Sequence, residues 1–409
     1  MKIAIVGAGL AGLSAAMNLR EHAEVKVFEK DDVGGLASSY CKDHYCIEKF
    51  YHHCFRQDEE LLKLIKELKL SNKLVWKVAK VGYAVDDKIY PLNTPIEILR
   101  FPYLSFYDKI KLAMFTIKSR KRDYVLEDGR GVVDGIKKEL GDKLLNNFFM
   151  PLLKSKFGEN YKEVSYAWLL ARVSIRSNRK YSGEELGYLR QGFHQLIERM
   201  REGIEIENKV VKLERFRRFD VCGEKFDAVI YTAPIPELGE EFRNALNLPK
   251  IKYQSSVCAL IALKDSLTNI YWTNVKEETI FGALIEHTNF MPLEDYGEHL
   301  IYLASYSTPD GWLFNKNVDE LEKLYIKDAK KFGLDERNIN WIKIFKAKYS
   351  GPIFEKGYLK KITDYKTPIK GFYIAGMTSK PNYPERSMNG SIKAGKEVAE
   401  VLKRDFGLI

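Results

Sequence analysis

The sequence predicts an α/β protein in which a dinucleotide-binding domain is interrupted by a second, α+β domain. Three observations lead to this fold class. Residues 2–6 form an apolar strand that runs into a glycine-rich turn and a helical pattern. Apolar strands of the same type recur at residues 226–234 and 371–376. The long stretches between them read first as helices and then as alternating strands, so the second domain must consist of insertions into the first.

The N-terminal turn has the spacing of a dinucleotide-binding motif. Gly7, Gly9 and Gly12 follow the strand as G-x-G-x-x-G, and the helical pattern covers residues 10–20. The first glycine permits a tight turn, the second lets the backbone approach a pyrophosphate, and the third lets helix and strand pack closely. The N-terminus of this helix offers unpaired N–H groups to the pyrophosphate. The backbone contacts expected here also involve Ala8, Leu10 and Ala11.

A second apolar strand, at residues 24–28, ends at Glu29 and Lys30. The number of residues between Gly7 and Glu29 is the separation at which such motifs place an acidic side chain that binds the hydroxyls of a ribose. The alternative is an ordinary βαβ unit that has a glycine turn and no ligand. The ordered series of strand, glycines, helix, strand and acid favours the nucleotide site.

The next segment identifies the family. Residues 31–39 (DDVGGLASS) include Gly34, Gly35, Leu36, Ala37 and Ser38. They resemble the double-glycine segment of the flavoprotein superfamily of amine oxidases, phytoene desaturases and protoporphyrinogen oxidases. The GGLAxS form looks more like the desaturase and protoporphyrinogen-oxidase branch than the amine oxidases, and the chain as a whole most resembles protoporphyrinogen-oxidase-like proteins. The resemblance implies that FAD is the cofactor and that the two glycines run beside its pyrophosphate. Leu36 stands where many members have arginine.

Two later segments resemble the same family. Residues 226–234 (FDAVIYTAP) look like the strand that returns to the nucleotide domain, and short strands are expected before it at residues 204–222. Residues 371–376 (GFYIAG), the loop after them and a helix at 388–403 look like the closing strand, loop and helix, whose N-terminus would face the flavin. The FAD contacts that this resemblance implies are Val210, Val211, Thr232, Ala233, Gly376, Met377, Arg386, Met388 and Asn389.

The resemblance implies a Rossmann-like FAD-binding domain with a discontinuous α+β substrate domain made of an antiparallel sheet plus helices. The FAD-binding domain is assigned residues 1–74, 188–249 and 349–409, and the substrate domain residues 75–187 and 250–348. The first insertion is expected to be mainly helical, with helices at 134–154 and 165–177. The second is expected to have strands at 255–263, 279–286, 299–305 and 340–347 and a helix at 318–332.

Composition restricts location and partners. The chain has 409 residues, a net charge of +10 and no apolar run of the ~18 residues that a spanning helix needs. The strand at the start of the sequence leaves no room for a signal peptide, so a cytoplasmic protein is expected. The basic residues are spread along the chain and no nucleic-acid module is recognised, so no nucleic-acid partner is expected.

The cysteines and histidines suggest neither a disulfide framework nor a metal. Five cysteines are few and odd in number, which is typical of a reducing compartment. Cysteines and histidines crowd together in residues 41–54, but their spacing matches no standard zinc pattern. No metal ligand is therefore assigned.

Residues 101–122 combine aromatic and aliphatic side chains with a basic end. The interpretation that we favour is an amphipathic helix packed on its own domain. The alternative is peripheral contact with the cytoplasmic face of an anionic membrane, through which a hydrophobic substrate would enter.

Few side chains are candidates for catalysis, because a flavin accepts the hydride and the protein mainly orients the substrate. His52 and His53 belong to a stretch that resembles a motif of the protoporphyrinogen-oxidase-like proteins (IEKFYHH), and either would contact the ring or protonate product. The alternative is a structural pair that fixes this segment. For substrate binding, Arg190 suits a carboxylate or phosphate and Tyr349 an apolar wall, although an internal ion pair and core packing are the alternatives.

The resemblance implies an FAD-dependent oxidoreductase like protoporphyrinogen oxidase and phytoene desaturase, which dehydrogenates a hydrophobic substrate by hydride transfer to the flavin. Oxygen, a quinone or another acceptor would reoxidise the cofactor. The alternative is a flavin-dependent sugar-nucleotide mutase resembling UDP-galactopyranose mutase, which would need several arginines in its pocket. A non-enzymatic FAD scaffold is the least favoured interpretation.

Overall fold

The computed structural model describes residues 1–176, 183–211, 213–215 and 219–409. Its strands are β1 Lys2–Val6, β2 Glu24–Glu29, β3 Ser39–Lys42, β4 Tyr45–Glu48, β5 Leu74–Ala79, β6 Val81–Val85, β7 Lys88–Pro91, β8 Glu184–Leu189, β9 Glu205–Asn208, β10 Leu213–Arg215, β11 Phe219–Val221, β12 Glu224–Phe226, β13 Ala228–Tyr231, β14 Tyr253–Leu263, β15 Trp272–Val275, β16 Ala283–Glu286, β17 His299–Ser307, β18 Ile339–Pro352 and β19 Phe372–Ile374.

Its helices are α1 Leu10–Leu19, α2 Glu59–Glu67, α3 Pro95–Arg100, α4 Phe106–Ser119, α5 Val132–Leu140, α6 Asp142–Leu144, α7 Met150–Phe157, α8 Tyr166–Arg176, α9 His194–Arg201, α10 Glu240–Ala245, α11 Trp312–Asn315, α12 Val318–Ala329 and α13 Met388–Asp405. Within the described residues, no helix has both the length and the apolar composition that crossing a membrane requires.

A five-stranded parallel sheet forms the nucleotide-binding part. Its order is β19-β13-β1-β2-β9, so strands from the start, middle and end of the chain lie side by side. The apolar strand β1 is central, and its Ile3 and Ile5 are fully buried. The first and last helices, α1 and α13, pack tightly, because a Cβ at Gly395 would lie 2.1 Å from the carbonyl oxygen of Ala11.

The second sheet has seven strands in the order β18-β14-β17-β16-β15-β6-β7. All neighbouring pairs are antiparallel except β15 and β6. Helices of the first insertion pack around it, as do α11 and α12. The expected α/β fold class, with an additional antiparallel sheet and helices, is confirmed. The proposed domain boundaries stay a prediction.

Several elements differ from the sequence-based expectations. The helix expected at residues 134–154 is interrupted at Gly141, which has a φ of +86° and separates α5 from α6. The first insertion is also less helical than expected, because β6 and β7 extend the large sheet. Ser177 of the helix expected at 165–177 lies outside the described residues, as do residues 212 and 216–218 of the strands expected at 204–222.

The expectation that the cysteines form no disulfide is wrong at one pair. Cys41 and Cys46 are disulfide-bonded across the hairpin of β3 and β4, where they are directly opposite each other. The total number of cysteines does not predict this pair, because a short hairpin brings two cysteines together whether the total is odd or even. Cys54, Cys222 and Cys258 are free thiols.

Candidate active site

The glycine turn has the geometry that its spacing predicts. Gly7 follows β1 with a φ of +103°, and a Cβ there would lie 2.8 Å from Oγ1 of Thr232. A Cβ at Gly12 would lie 1.9 Å from the carbonyl oxygen of Gly7, so only glycine permits this packing of α1 on β1. By contrast, a Cβ at Gly9 would have no atom within 4 Å. No protein atom therefore occupies the space beside Gly9, the second glycine of the motif.

The double-glycine segment lies against this turn. The Gly34 N–H donates to the carbonyl oxygen of Ala8 at 2.8 Å, and a Cβ at Gly35 would lie 3.4 Å from the Cα of Gly9. Both Gly34 and Gly35 have positive φ, at +103° and +56°. The two glycine motifs, separate in sequence, thus form one wall. The segment from Gly35 to Ala37 is a turn of 3-10 helix that leads through Ser38 into β3.

Glu29 closes the other side of the turn at the end of β2. Its two carboxylate oxygens accept the backbone N–H groups of Ala8 at 2.7 Å and Asp31 at 2.9 Å. A carboxylate has about four acceptor positions, so two remain for a ribose. Lys30 forms an ion pair with Glu237 at 2.6 Å. Its charge is therefore partly compensated by the protein.

The returning strands complete the groove. Thr232 donates its hydroxyl to the carbonyl oxygens of Val6 and Gly7, at 2.9 and 3.0 Å, and Ala233 follows it. Gly376 lies beyond β19 with a φ of +127°, next to Met377. The predicted adenine contacts lie beyond β9, where the Lys209 N–H donates to the carbonyl oxygen of Glu29. Val210 there is exposed, and Val211 is half-buried.

These observations fit FAD. Gly9 has no side chain to cap α1, so the N–H groups of the helix's first turn are available to a pyrophosphate. The open space above Gly9 would accept the phosphates, and Glu29 would bind the ribose. The N-terminus of α13 offers a second positive dipole end, where the flavin ring is expected. Thus the groove has the donors, the acceptor and the room that the dinucleotide needs.

A cavity of about 500 Å³ lies between this groove and the antiparallel sheet. Leu36, Met388 and Asn389 border it on the cofactor side, so the cavity reaches the place expected for the flavin ring. Asn389 also accepts the N–H of Leu61 of α2 through Oδ1 at 3.1 Å. Aromatic rings form much of the wall: Tyr51 and Trp272 are in edge-to-face contact at 4.9 Å between centroids.

Both candidate histidines border the cavity. Nδ1 of His52 lies 2.6 Å from the carbonyl oxygen of Phe50, so Nδ1 carries the proton and Nε2 is an acceptor. Burial, and secondly the charge of Arg386, lowers the pKa of His52 to about 4. His52 is therefore neutral at pH 7. Nδ1 of His53 lies 3.3 Å from the hydroxyl of Tyr271.

Three cationic side chains also reach the cavity: Lys156 of α7, Arg172 of α8 and Arg386 from the loop before α13. Arg172 is paired with Glu385 at 2.7 Å. Tyr306 of β17 is close to them, and its hydroxyl lies 2.8 Å from that of Tyr51. Burial alone would raise the pKa of Tyr306, but the charge of Lys156, the hydrogen bond with Tyr51 and then the charges of Arg172 and Arg386 hold it below its ordinary value.

The two candidate substrate residues lie elsewhere. Arg190 is half-exposed and binds Asp295 through Nε and Nη2 at 2.7–3.0 Å, outside the cavity lining. Its guanidinium is therefore used by an internal ion pair, the alternative considered above. Tyr349 packs edge to face on Tyr253 at 5.4 Å between centroids, and the next residue, Ser350, borders the cavity in its place.

Sequence reasoning missed Lys156 and Arg172. Lys156 lies in a stretch with two lysines (LLKSKF), and only the helix phase decides that Lys154 is exposed and Lys156 turns inward. Nothing in one sequence fixes that phase, because α7 follows an irregular turn of π-helix at residues 145–149. Arg172 similarly gains its role through Glu385, which is 213 residues away in the chain.

Comparison with known proteins agrees with this geometry. A family model described as flavin containing amine oxidoreductase matches residues 10–403. The chain belongs to this family. FAD is therefore its cofactor, and the protein is an oxidoreductase. Its similarity to the desaturase and protoporphyrinogen-oxidase branch, inferred from GGLAxS, is confirmed by the relatives below.

The 15-cis-phytoene desaturase of Arabidopsis thaliana is 22% identical over 469 aligned residues, which cover 100% of this chain and 81% of the relative. The solved structure of a candidate protoporphyrinogen oxidase from Exiguobacterium sp. 255-15 has a TM-score of 0.78 at 18% identity and covers 98% of both chains. Reduced UDP-galactopyranose mutase has a TM-score of 0.71 at 17% identity, covering 100% of this chain and 96% of the other. At such identities the two structures show a shared fold only.

Proposed function

We propose that this flavoenzyme dehydrogenates a hydrophobic substrate, in the manner of protoporphyrinogen oxidases and phytoene desaturases. The observation that carries the proposal is the cavity of about 500 Å³, which borders Leu36, Met388 and Asn389 on the cofactor side and aromatic side chains on the other. A substrate placed there would lie between the flavin and the antiparallel sheet. FAD supplies the hydride acceptor when it is bound.

The chain's own residues hold the substrate and exclude water. The rings of Tyr51 and Trp272 give a rigid apolar wall, and rings of this kind lose little conformational entropy when they bind a flat ligand. His52 is neutral at pH 7, so it accepts a hydrogen bond at Nε2 and is a poor proton donor. The hydroxyls of Tyr51 and Tyr306, 2.8 Å apart, are further proton-carrying groups at the cavity.

The experiment is an anaerobic titration of FAD-loaded protein with porphyrinogens, polyprenoids and UDP-sugars, followed through the flavin absorption band. A dehydrogenase substrate bleaches the band, and added acceptor restores it with one product formed per acceptor consumed. Bleaching by none of the hydrophobic candidates contradicts the proposal. If the double variant His52→Gln/His53→Gln reduces its flavin at the same rate as wild type, neither histidine takes part in the reaction and both are structural.

A sugar-nucleotide mutase is the second candidate, because Lys156, Arg172 and Arg386 border the cavity and would suit a diphosphate. Arg190, considered earlier for this role, does not contribute. Turnover separates the two functions. A mutase converts its substrate with only a catalytic amount of reductant, whereas a dehydrogenase consumes acceptor stoichiometrically. A scaffold would do neither.

We also propose peripheral contact with the cytoplasmic face of a membrane through α3 and α4. As the favoured expectation has it, α4 packs on its own domain, against α5 and α8, but one face of α3 and α4 is left exposed. Apolar side chains that are 41–70% exposed project from both helices: Ile96, Leu99, Phe106, Tyr107, Ile110, Met114 and Ile117. Exposed Lys118, Arg120 and Lys121 at the end of α4 would favour anionic lipid. Because α4 packs on α8, which carries Arg172, this face is one helix away from the cavity.

A further inference from the structure

We propose that the cavity contains a subsite for an anionic group of the substrate, a carboxylate or a phosphate, formed by Lys156 and Arg386. The inference rests on the proposed function and specifies its substrate class: a hydrophobic molecule that carries an acid. Both side chains border the same cavity as the aromatic wall, although they come from α7 and from the loop before α13.

The cations converge on Tyr306. Nζ of Lys156 lies 4.7 Å from the centroid of the Tyr306 ring. Burial raises the pKa of Tyr306, but the charge of Lys156, the hydrogen bond with Tyr51 and the charges of Arg172 and Arg386 together hold it below its ordinary value. The hydroxyl of Tyr51, 2.8 Å from that of Tyr306, adds a further donor at the same place. An anion beside Tyr306 would thus be bound both by cationic side chains and by tyrosine hydroxyls.

The protein supplies too few anions to balance these charges. Among the described residues, two carboxylates border the cavity, and each has a partner in the protein, although Oε2 of Glu385 is buried without a hydrogen-bond partner. Glu385 pairs with Arg172 at 2.7 Å, and Asp58 accepts the N–H of Phe55 at 2.8 Å. Among the described residues, no carboxylate lies within 4.0 Å of the charged nitrogens of Lys156 or Arg386. Neither cation therefore has a direct ion-pair partner among the described residues, and an anion that enters the cavity would pair with both.

Leaving these charges without a counter-ion costs free energy. Lys156 and Arg386 are both half-buried, and burial lowers the pKa of Lys156 because its charged form is incompletely solvated. An entering carboxylate or phosphate would relieve this cost. The planar fork of Arg386 suits two oxygens of such a group, and the ammonium of Lys156 acts as a point charge.

Arg386 is among the FAD contacts that the family resemblance implies, but the pyrophosphate of FAD is not the anion that would pair with it. It is expected at the turn formed by Gly7, Gly9 and Gly12, and none of residues 7–14 borders the cavity. A primary amine would be repelled by the same cations, and a neutral hydrocarbon would leave them uncompensated. The subsite therefore favours amphiphilic acids over neutral polyprenoids and amines.

The test measures binding to the FAD-loaded protein by calorimetry, with inorganic pyrophosphate and tricarballylate as separate probes for phosphate and carboxylate. Wild-type protein should bind at least one probe. Which probe binds shows whether the subsite accepts a phosphate or a carboxylate. Lys156→Gln and Arg386→Gln should each weaken that binding about 10-fold or more. Lys156→Arg should recover most of it, and Lys154→Gln, an exposed lysine of the same helix, should bind like wild type. FAD content and the flavin spectrum check that each variant is folded.

Two results of the binding experiment would overturn the subsite. One is binding of neither probe by wild-type protein, and the other is equal binding by wild type and Lys156→Gln. If Lys156→Gln instead changes only the flavin reduction potential, the lysine serves the cofactor and the inference is wrong. Because binding needs no turnover, the result is independent of the proposed function. A neutral hydrocarbon that bleaches the flavin equally in both proteins would sustain dehydrogenation and reject the subsite.

Discussion

Nδ1 of His52 lies 2.6 Å from the carbonyl oxygen of Phe50, two residues earlier in the chain. The hydrogen bond turns the ring so that Nε2 is left as an acceptor at the cavity. Burial, followed by the charge of Arg386, opposes protonation of Nε2 and lowers the pKa of His52 to about 4. The histidine is thus held in one tautomer and one charge state at neutral pH.

This relationship predicts a specific pH dependence of stability. The unfolded chain protonates His52 as the pH falls through about 6.5, whereas the folded protein does so only near pH 4. The group's stabilising contribution is therefore complete above pH 7 and is lost as the pH falls from 6.5 to 4. Between pH 7 and pH 5, wild-type protein should lose about 2 kcal/mol more than His52→Gln. Urea unfolding of the two proteins at both pH values measures this difference, and equal losses would contradict the assignment.

The glycine turn gives a matched pair of substitutions. Gly9→Ala adds a Cβ with no protein atom within 4 Å, so the melting temperature of FAD-free protein should not change. FAD should bind about 10-fold more weakly, because the methyl group occupies the space expected for the pyrophosphate.

Gly12→Ala should behave in the opposite way. Its Cβ would lie 1.9 Å from the carbonyl oxygen of Gly7, so α1 must move away from β1. The FAD-free protein should lose about 3 kcal/mol of unfolding free energy. Thermal unfolding and FAD titration of both variants separate the two effects. A Gly9→Ala protein that is unstable without FAD would show that the space at Gly9 serves folding.

The cofactor groove was more predictable from sequence than the substrate cavity, for physical reasons. Gly7, Gly12 and Glu29 act through backbone geometry and close spacing along the chain, and these are properties of a local motif. Lys156 and Arg386 are 230 positions apart, and they meet only through the packing of α7 against the loop before α13. A single sequence records no such long-range contact.

A single sequence also does not show which arginines form ion pairs with distant residues of the same chain. The guanidinium of Arg190 suits a carboxylate or phosphate of the substrate, yet Asp295 of the second insertion binds it. We therefore predict that Arg190→Gln keeps the kcat/KM and FAD affinity of wild type. Steady-state kinetics with whichever substrate bleaches the flavin measures this. A large increase in KM in Arg190→Gln would return the arginine to the substrate site.

The exposed apolar face of α3 and α4 leads to the last prediction. Phe106 and Ile117 are 70% and 64% exposed on α4, and in water they contribute little to folding. If they insert into lipid, replacing both with serine removes about 3 kcal/mol of transfer free energy, or about 100-fold in partitioning. Co-sedimentation of Phe106→Ser/Ile117→Ser with phosphatidylglycerol vesicles should fall by this factor, while its thermal stability stays that of wild type.

Trp312→Ser is the matched control for this face. Trp312 is 62% exposed on α11, a helix that packs on β14 and β17 of the large sheet and belongs to the second insertion. Trp312→Ser therefore removes a large exposed apolar side chain without touching α3 or α4, and vesicle binding should not change. Wild-type protein should also bind neutral phosphatidylcholine more weakly than phosphatidylglycerol, because Lys118, Arg120 and Lys121 border the face. Equal sedimentation of the serine double variant and wild type would show that the face contacts no lipid, and that the substrate reaches the cavity by another route.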